Sequence, residues 1–254
     1  MIKAAFFDID GTLVPHGSGK AITPSALEAL KLLKTKGVKL FIATGRPYHT
    51  AQFVIDQFDW DGVMAMNGQY IVYQGEVIHR LAFDPEGLAE VIKYIDEKEI
   101  ACSFALETGS FMNRTSEKYN KQPRANAIFK PSSACLEAPT YQVNAYVDEC
   151  DDDAIIEHFP GAKTARWSDV FSDIIPAEGG KDNGIKVVAA YLGIEVADTA
   201  SFGDGGNDIS MLKGAGIGIA MGNANDKVKA AADYVTDKDV DNGIYNACKH
   251  FSWI

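Results

Sequence analysis

Asp8-Ile9-Asp10-Gly11-Thr12 places two carboxylates two residues apart at the end of an apolar run, Lys3 to Ile9. On a strand, such residues point to the same side. Held side by side they repel, so one keeps a proton or a cation sits between them. A hard divalent ion such as magnesium, Mg2+, suits an all-oxygen site. A solvated acidic loop is the plainer account of an isolated D-x-D. It is weaker here because the pair interrupts a strongly apolar segment, where charge is costly.

Gly203-Asp204-Gly205-Gly206-Asn207-Asp208 is a second acidic group, between an apolar run and a helical pattern. Its glycines let the backbone turn sharply and approach a ligand. Two more carboxylates there would complete a magnesium shell with Asp8; an Asp-capped glycine turn is the alternative. Lys181 follows two glycines at a helix start, where its ammonium could neutralise a phosphate oxygen or the acidic cluster. Thr44, closing the run Val38 to Ala43, could donate a hydroxyl to phosphate. Taken singly, a surface lysine and a threonine in a strand turn explain these two as well.

The elements needed to position these residues are legible in the spacing. Lys3 to Ile9 reads as a strand buried on both faces. Thr23 caps a helix with Pro24 at its first position, and Gly37 stops it. Val38 to Ala43 is a second buried strand, so the opening is strand, helix, strand, with parallel pairing. Val63 to Met66 gives a third βα step, with Asn67-Gly68 as its turn. Tyr70 to Tyr73 and Glu76 to His79 form a hairpin around Gln74-Gly75.

From Asp84 the texture changes. Pro85 to Lys98 is a helix, Ala101 to Leu106 and Gln142 to Val147 are strands, and residues 107–140 resist assignment. Asp151 to His158 is a short helix with acidic residues at its start, and Val170 to Ile175 is a strand. After Lys181 the βα rhythm returns, with helix Ile185 to Leu192, strand Thr199 to Phe202, helix Ile209 to Lys213, strand Ile217 to Ala220 and helix Asp226 to Ala232. The expected fold is α/β: a doubly wound, mostly parallel core from residues 1–83 and 181–254, interrupted by an inserted α+β unit over 84–180. Ligands of such sheets bind beyond the carboxyl ends of the strands, and the four polar clusters fall near strand ends or at helix starts.

Bulk properties narrow the partners. At 254 residues the chain can bury a substantial core, and a net charge of −11 disfavours nucleic acid and anionic membranes. An anionic substrate would need positive charge supplied locally. Four widely spaced cysteines without a C-x-x-C pair speak against zinc or a disulfide framework. Without a secretory apolar region or an 18-residue apolar stretch, the expected location is cytoplasmic. Gly214-Ala215-Gly216-Ile217-Gly218 fails the dinucleotide spacing and precedes a strand. Asp237-Lys238-Asp239-Val240-Asp241 fails as a calcium loop, because Asn242 and Cys248 stand at the positions of the required glycine and glutamate.

In order, the four clusters resemble the motifs of the haloacid dehalogenase superfamily of phosphotransferases, nearest to the Cof-type branch with a type-IIB cap. Asp8 to Leu13 is similar to its first motif, Ala43-Thr44-Gly45-Arg46-Pro47 to its second, Lys181 to its third and Gly203 to Asp208 to its fourth. The likeness extends to Asn67-Gly68 and Ile219 to Ala224. Around Lys181 it departs, since Gly179-Gly180-Lys181-Asp182-Asn183-Gly184 replaces the family's simpler Gly-Val-x-Lys-Gly.

The resemblance implies a phosphatase of small phosphate monoesters, with sugar phosphates expected first. It implies Asp8 as nucleophile, forming an aspartyl phosphate, and Asp10 as acid and base. Thr44, Lys181, Asn207 and Arg46 would lie on phosphate. Asp8, Asp10 through its backbone carbonyl, Asp204 and Asp208 would serve magnesium. Substrate choice would lie in the cap, where Arg114, Trp167 and Asp173 are candidates, with Glu107, Asn113 and Arg124. A hexose phosphomutase and phosphatases of pyridoxal phosphate, flavin mononucleotide or nucleotides are alternatives. A phospho-accepting receiver module shares an aspartate, a threonine and a lysine, but is half this length. No obligate protein partner is expected.

Overall fold

A computed structural model describes residues 2–17, 19–123 and 126–254. Its first half carries β1 (Ala4–Phe7), α1 (Pro24–Thr35), β2 (Lys39–Ala43), α2 (Gln52–Ile55), β3 (Gly62–Ala65), β4 (Tyr70–Tyr73), β5 (Glu76–Arg80), α3 (Pro85–Glu97), β6 (Cys102–Leu106), β7 (Gly109–Met112) and α4 (Glu117–Lys121). The second half carries β8 (Thr140–Ala145), α5 (Asp152–Glu157), β9 (Ala162–Thr164), β10 (Ser172–Pro176), α6 (Lys181–Leu192), β11 (Thr199–Gly203), α7 (Ile209–Gly214), β12 (Ile217–Ala220), α8 (Asp226–Lys229), β13 (Tyr234–Val235) and α9 (Gly243–His250).

One sheet runs β13-β12-β11-β1-β2-β3-β4-β5. It is parallel from β13 to β3 and antiparallel from β3 to β5. Strand alternation assigns its faces. Ala5 and Phe7 of β1 join Leu30 and Leu33 of α1 and Ile244 and Ala247 of α9 on one side. Ala4 and Phe6 join Ile185 and Val188 of α6 and Met211 of α7 on the other. Both faces are covered, which is why β1 reads as unbroken apolar sequence. Each phenylalanine so buried contributes roughly 1.5–3 kcal/mol of transfer free energy.

The second sheet runs β7-β6-β8-β10-β9, antiparallel throughout. Leu88, Val91, Ile92 and Ile95 of α3 and Ile155 of α5 pack on one face, against Phe104, Val143 and Ala145. The alternating positions are polar. Ser103 pairs with Asn144, and Asn144 with Asp173, so all three share the opposite face, and all are buried. Two connecting segments, 81–84 and 177–180, join this cap to the parallel core.

Several elements differ from the expectation. β3 is followed by the antiparallel β4 rather than by a helix, because Met66 and Asn67 take left-handed backbone angles and reverse the chain at once. α6 begins at Lys181, not Ile185. Gly184 stands inside it because a Cβ there would lie 2.0 Å from Met64 Sδ. α1 matches in detail: Thr23 accepts a hydrogen bond from the Ala26 amide at 3.3 Å, ahead of Pro24. The unassigned stretch 107–140 holds β7 and α4. Among the described residues, no helix is long and apolar enough to cross a membrane.

Candidate active site

β1 and β11 are neighbours in register, with Phe7 opposite Phe202. Residues just beyond their carboxyl ends therefore meet: Asp8 follows β1, and Asp204 follows β11. Asp208 sits one turn further, at the entry to α7. One carboxylate oxygen from each of Asp8, Asp204 and Asp208 lies within 4.8 Å of the others. Lys181, wholly buried at the start of α6, donates from Nζ to Asp8 Oδ1 (2.6 Å) and Asp208 Oδ1 (2.5 Å). The other Asp208 oxygen accepts from the backbone amides of Asp204 (3.0 Å) and Gly205 (2.9 Å), fixing the loop that carries Asp204. Thr12 donates to Asp204 Oδ1 at 2.9 Å.

Three clustered carboxylates, those of Asp8 and Asp208 buried and that of Asp204 partly so, against one lysine leave excess negative charge. Burial pushes the Asp8 carboxyl well above its ordinary range, and Asp208 adds to this, while Lys181 pulls it down. Burial opposes the Lys181 ammonium, but Asp208 and Asp8 outweigh it and hold the lysine protonated. Asp204 is likewise raised by burial, with His16 and Thr12 opposing. This all-oxygen, net-negative donor set fits a hard divalent cation. Gly11 makes the approach possible. Its φ is +79°, and a Cβ there would lie 2.1 Å from Asp204 Oδ2.

A cleft of about 310 Å³ opens over this cluster, lined by Asp8, Asp10, Thr44, Arg46, Asp204 and Asn207 from the core, and by Trp167 and Ser168 from the cap. Thr44 Oγ1 accepts from the Arg46 amide at 3.1 Å, which leaves its own hydroxyl proton to donate. Asn207 donates one amide proton to Asn67 Oδ1 at 3.0 Å. Arg46, expected on phosphate, lines the cleft and grips Asp10 with two hydrogen bonds of 2.7 Å each. Its guanidinium lies 5.3 Å from the Phe53 ring centre.

The cap candidates separate. Trp167 faces the cleft, held by its Nε1 bond to Asp173 Oδ2 (3.2 Å). Asp173 is buried behind it, bonded also to Asn67 (2.8 Å) and Asn144, so it shapes the site from the second sheet rather than lining the cleft. Arg114 stands elsewhere, paired with Glu99 (3.3 Å) and Asp96 (3.8 Å) by the end of α3. Its place just after β7 sets it there, away from the residues that line the cleft. Glu107 is engaged by Tyr70 and Arg80. Asn113 bonds the Cys102 amide, the Ile100 carbonyl and Ser132. Arg124 lies outside the described residues.

Sequence reasoning did not single out His16, Gln142, Asn144 or Asn225. His16 approaches Asp204 at 3.6 Å, and that carboxylate raises its pKa against the effect of burial. Nothing in the loop sequence marked it. Gln142 and Asn144 had a signal, since they alternate with Val143 and Ala145 in a strand otherwise apolar. Asn223 and Asn225 line the cleft from the loop after β12. Asn223 is braced there by its bond to the Gly11 carbonyl (2.8 Å) and by the Asp239 amide (3.0 Å).

A parallel α/β core that gathers aspartates, a lysine, a threonine and an amide under a cap is the architecture of a phosphoryl-transfer hydrolase. Residues 5–248 match the family of haloacid dehalogenase-like hydrolases, and the chain belongs to that family. A solved structure of the HAD subclass IIB sugar phosphatase BT4131 is 35% identical with a TM-score of 0.92, over 99% of this chain and 100% of that one. YkrA of Bacillus subtilis (strain 168) is 30% identical over 97% of this chain and 96% of its own length. Pyridoxal phosphate phosphatase YbhA of Escherichia coli (strain K12) is 29% identical over 93% and 94%. The chain is a phosphatase in class.

Proposed function

We propose that this protein is a magnesium-dependent phosphatase of sugar phosphates that works through an aspartyl phosphate on Asp8. The observation that carries the reading is the convergence of Asp8, Asp204 and Asp208 within 4.8 Å beneath a cleft bordered by Asp10, Thr44 and Asn207. Asp8, Asp204 and Asp208, with the Asp10 backbone carbonyl, would hold magnesium, which when bound lessens repulsion between Asp8 and an anionic ester. Lys181 occupies one Asp8 oxygen and leaves the other to attack phosphorus. As that O–P bond forms, the bond to the leaving oxygen breaks, and Asp10 supplies that oxygen with a proton. Asp10 then takes a proton from the water that attacks phospho-Asp8, releasing inorganic phosphate and regenerating both carboxyl groups. Thr44, Lys181 and Asn207 hold the phosphoryl oxygens, where positioning and charge neutralisation are most of the catalysis. Arg46 exchanges Asp10 for the incoming phosphoryl group.

The sugar assignment is supported by the cleft's mixture of an indole with hydroxyl and amide groups, Trp167, Ser168, Asn223 and Asn225, and by the likeness to a sugar phosphatase. The relative acting on pyridoxal phosphate supplies the second reading. A panel of phosphate esters assayed with magnesium decides between them. Release of inorganic phosphate from hexose phosphates is expected; turnover confined to pyridoxal phosphate removes the sugar assignment, and isomerised sugar without release means a mutase. Asp8→Asn should lower turnover by about a thousandfold or more, close to 4 kcal/mol of barrier. A variant retaining most of its activity would rule out the covalent route.

A further inference from the structure

Asn67 lies where core and cap meet, and the chemistry above makes no use of it. Its side-chain amide donates to Gln142 Oε1 (2.9 Å) and Asp173 Oδ2 (2.8 Å), both on the cap sheet. Its carbonyl oxygen accepts from Asn207 Nδ2 (3.0 Å), in the core. Asn67, Gln142 and Asp173 are all buried. The backbone at Asn67 is left-handed, with φ 56° and ψ 34°, directly after Met66 at φ 50°. Two consecutive non-glycine residues in that region persist only where their surroundings over-determine them.

The same turn touches both connecting segments. A Cβ on Gly68 would lie 2.6 Å from the Gly180 carbonyl oxygen, and the Gln69 carbonyl accepts from the Leu81 amide at 2.8 Å. Residues 67–69 thus contact the cap sheet, the phosphate-facing amide and both strands of chain on which a cap would move.

We infer that Asn67 is a positioning residue that couples seating of the cap to the aim of Asn207. Its two N–H groups find Gln142 and Asp173 when the cap is seated, and its carbonyl then holds the Asn207 amide over the cleft. The inference rests on the phosphatase reading for what Asn207 does, but not for the coupling itself. Asparagine suits the task because it offers two donors and an acceptor on a short stem and tolerates left-handed backbone. Aspartate has the shape without the donors.

The test compares hydrogen exchange of the full chain, with magnesium present, in wild type, Asn67→Asp and Asn67→Gly. Asn67→Asp keeps the acceptor toward Asn207 but loses both donors and sets a charge against Asp173. Asn67→Gly keeps the left-handed backbone and removes the side chain. In both variants, protection over residues 140–145 and 165–173 should fall about tenfold or more, the scale of losing a buried hydrogen bond to a charged group. Protection of β1 and β11 should stay, which reports an intact core.

Adding Asp173→Asn to Asn67→Asp exchanges amide and carboxylate across their contact and should recover part of the protection over residues 140–145, although Trp167 loses its Asp173 acceptor. In assays, kcat/KM should fall further for a hexose phosphate than for acetyl phosphate, which is too small to span the cleft. Unchanged cap protection in both single variants overturns the inference, as does a double variant with no recovery. A wild type inert toward every phosphate would defeat the hydrolase reading, while the exchange comparison would still decide the coupling.

Discussion

At the scale of single residues, the site is held by charges that do not balance without help. Lys181 binds two of three clustered carboxylates, and burial still leaves the Asp8 carboxyl raised. A carboxyl raised in the folded state is a liability above its unfolded pKa. The unfolded chain releases that proton first, so stability falls as pH climbs from the unfolded value through the folded one. Asp8→Asn removes this penalty and keeps the Lys181–Asp208 pair. The metal-free variant should therefore melt higher than metal-free wild type at pH 7, by about 2–4 °C for each 1 kcal/mol removed. The difference should shrink toward pH 4. Thermal scans across pH check this; a variant that melts lower at pH 7 would mean the Lys181–Asp8 attraction outweighs the repulsion.

Among the elements, the loop between β9 and β10 decides how the cap addresses the cleft. Arg166 ties it down, donating to Asp152 (2.9 and 2.7 Å) and to the carbonyls of Ser168 (2.9 Å) and Phe171 (3.2 Å). That orders the backbone presenting Trp167 and Ser168. The loop in turn lies on the turn before α7, where a Cβ on Gly206 would fall 2.4 Å from the Arg166 carbonyl oxygen. Gly206→Ala should lift the loop away. Its cost belongs to the overpacking range of about 1–3 kcal/mol, and it should appear as a KM for hexose phosphate raised about tenfold, with β1 and β11 undisturbed. Steady-state kinetics beside a thermal scan separates this from general unfolding, and an unchanged KM would mean the loop does not border the substrate.

For the whole molecule, the proposed cation site would link metal binding to fold stability, because Asp8, Asp204 and Asp208 meet only after the sheet forms. At one hundred times its dissociation constant, magnesium should add about 2.7 kcal/mol, near 5–10 °C in melting temperature for a chain of this size. The shift should vanish on chelation and be much smaller in Asp204→Asn. A melting temperature indifferent to magnesium in wild type would argue against the metal site. The net charge of −11 means that any anionic substrate needs positive charge supplied locally at the site.

The βα rhythm and the run of motifs were legible in the primary chain because burial on both faces makes parallel strands uniformly apolar, so charges at strand ends stand out. Those charges marked Asp8, Asp204 and Asp208 as candidates, and the resemblance of the ordered motifs to a known family joined them across nearly 200 positions. Arg114 could not be excluded by its sequence, since only the folded cap brings Glu99 and Asp96 beside it. Nor could the Arg46 grip on Asp10 be read from sequence, since it joins the ends of two neighbouring strands. The sequence determined which residue types gather at the carboxyl edge of the sheet, because local patterning dictates strands and their ends. Only the tertiary structure decided which donor meets which acceptor across cap and core. Those contacts depend on the docking of two sheets, and no local period encodes it.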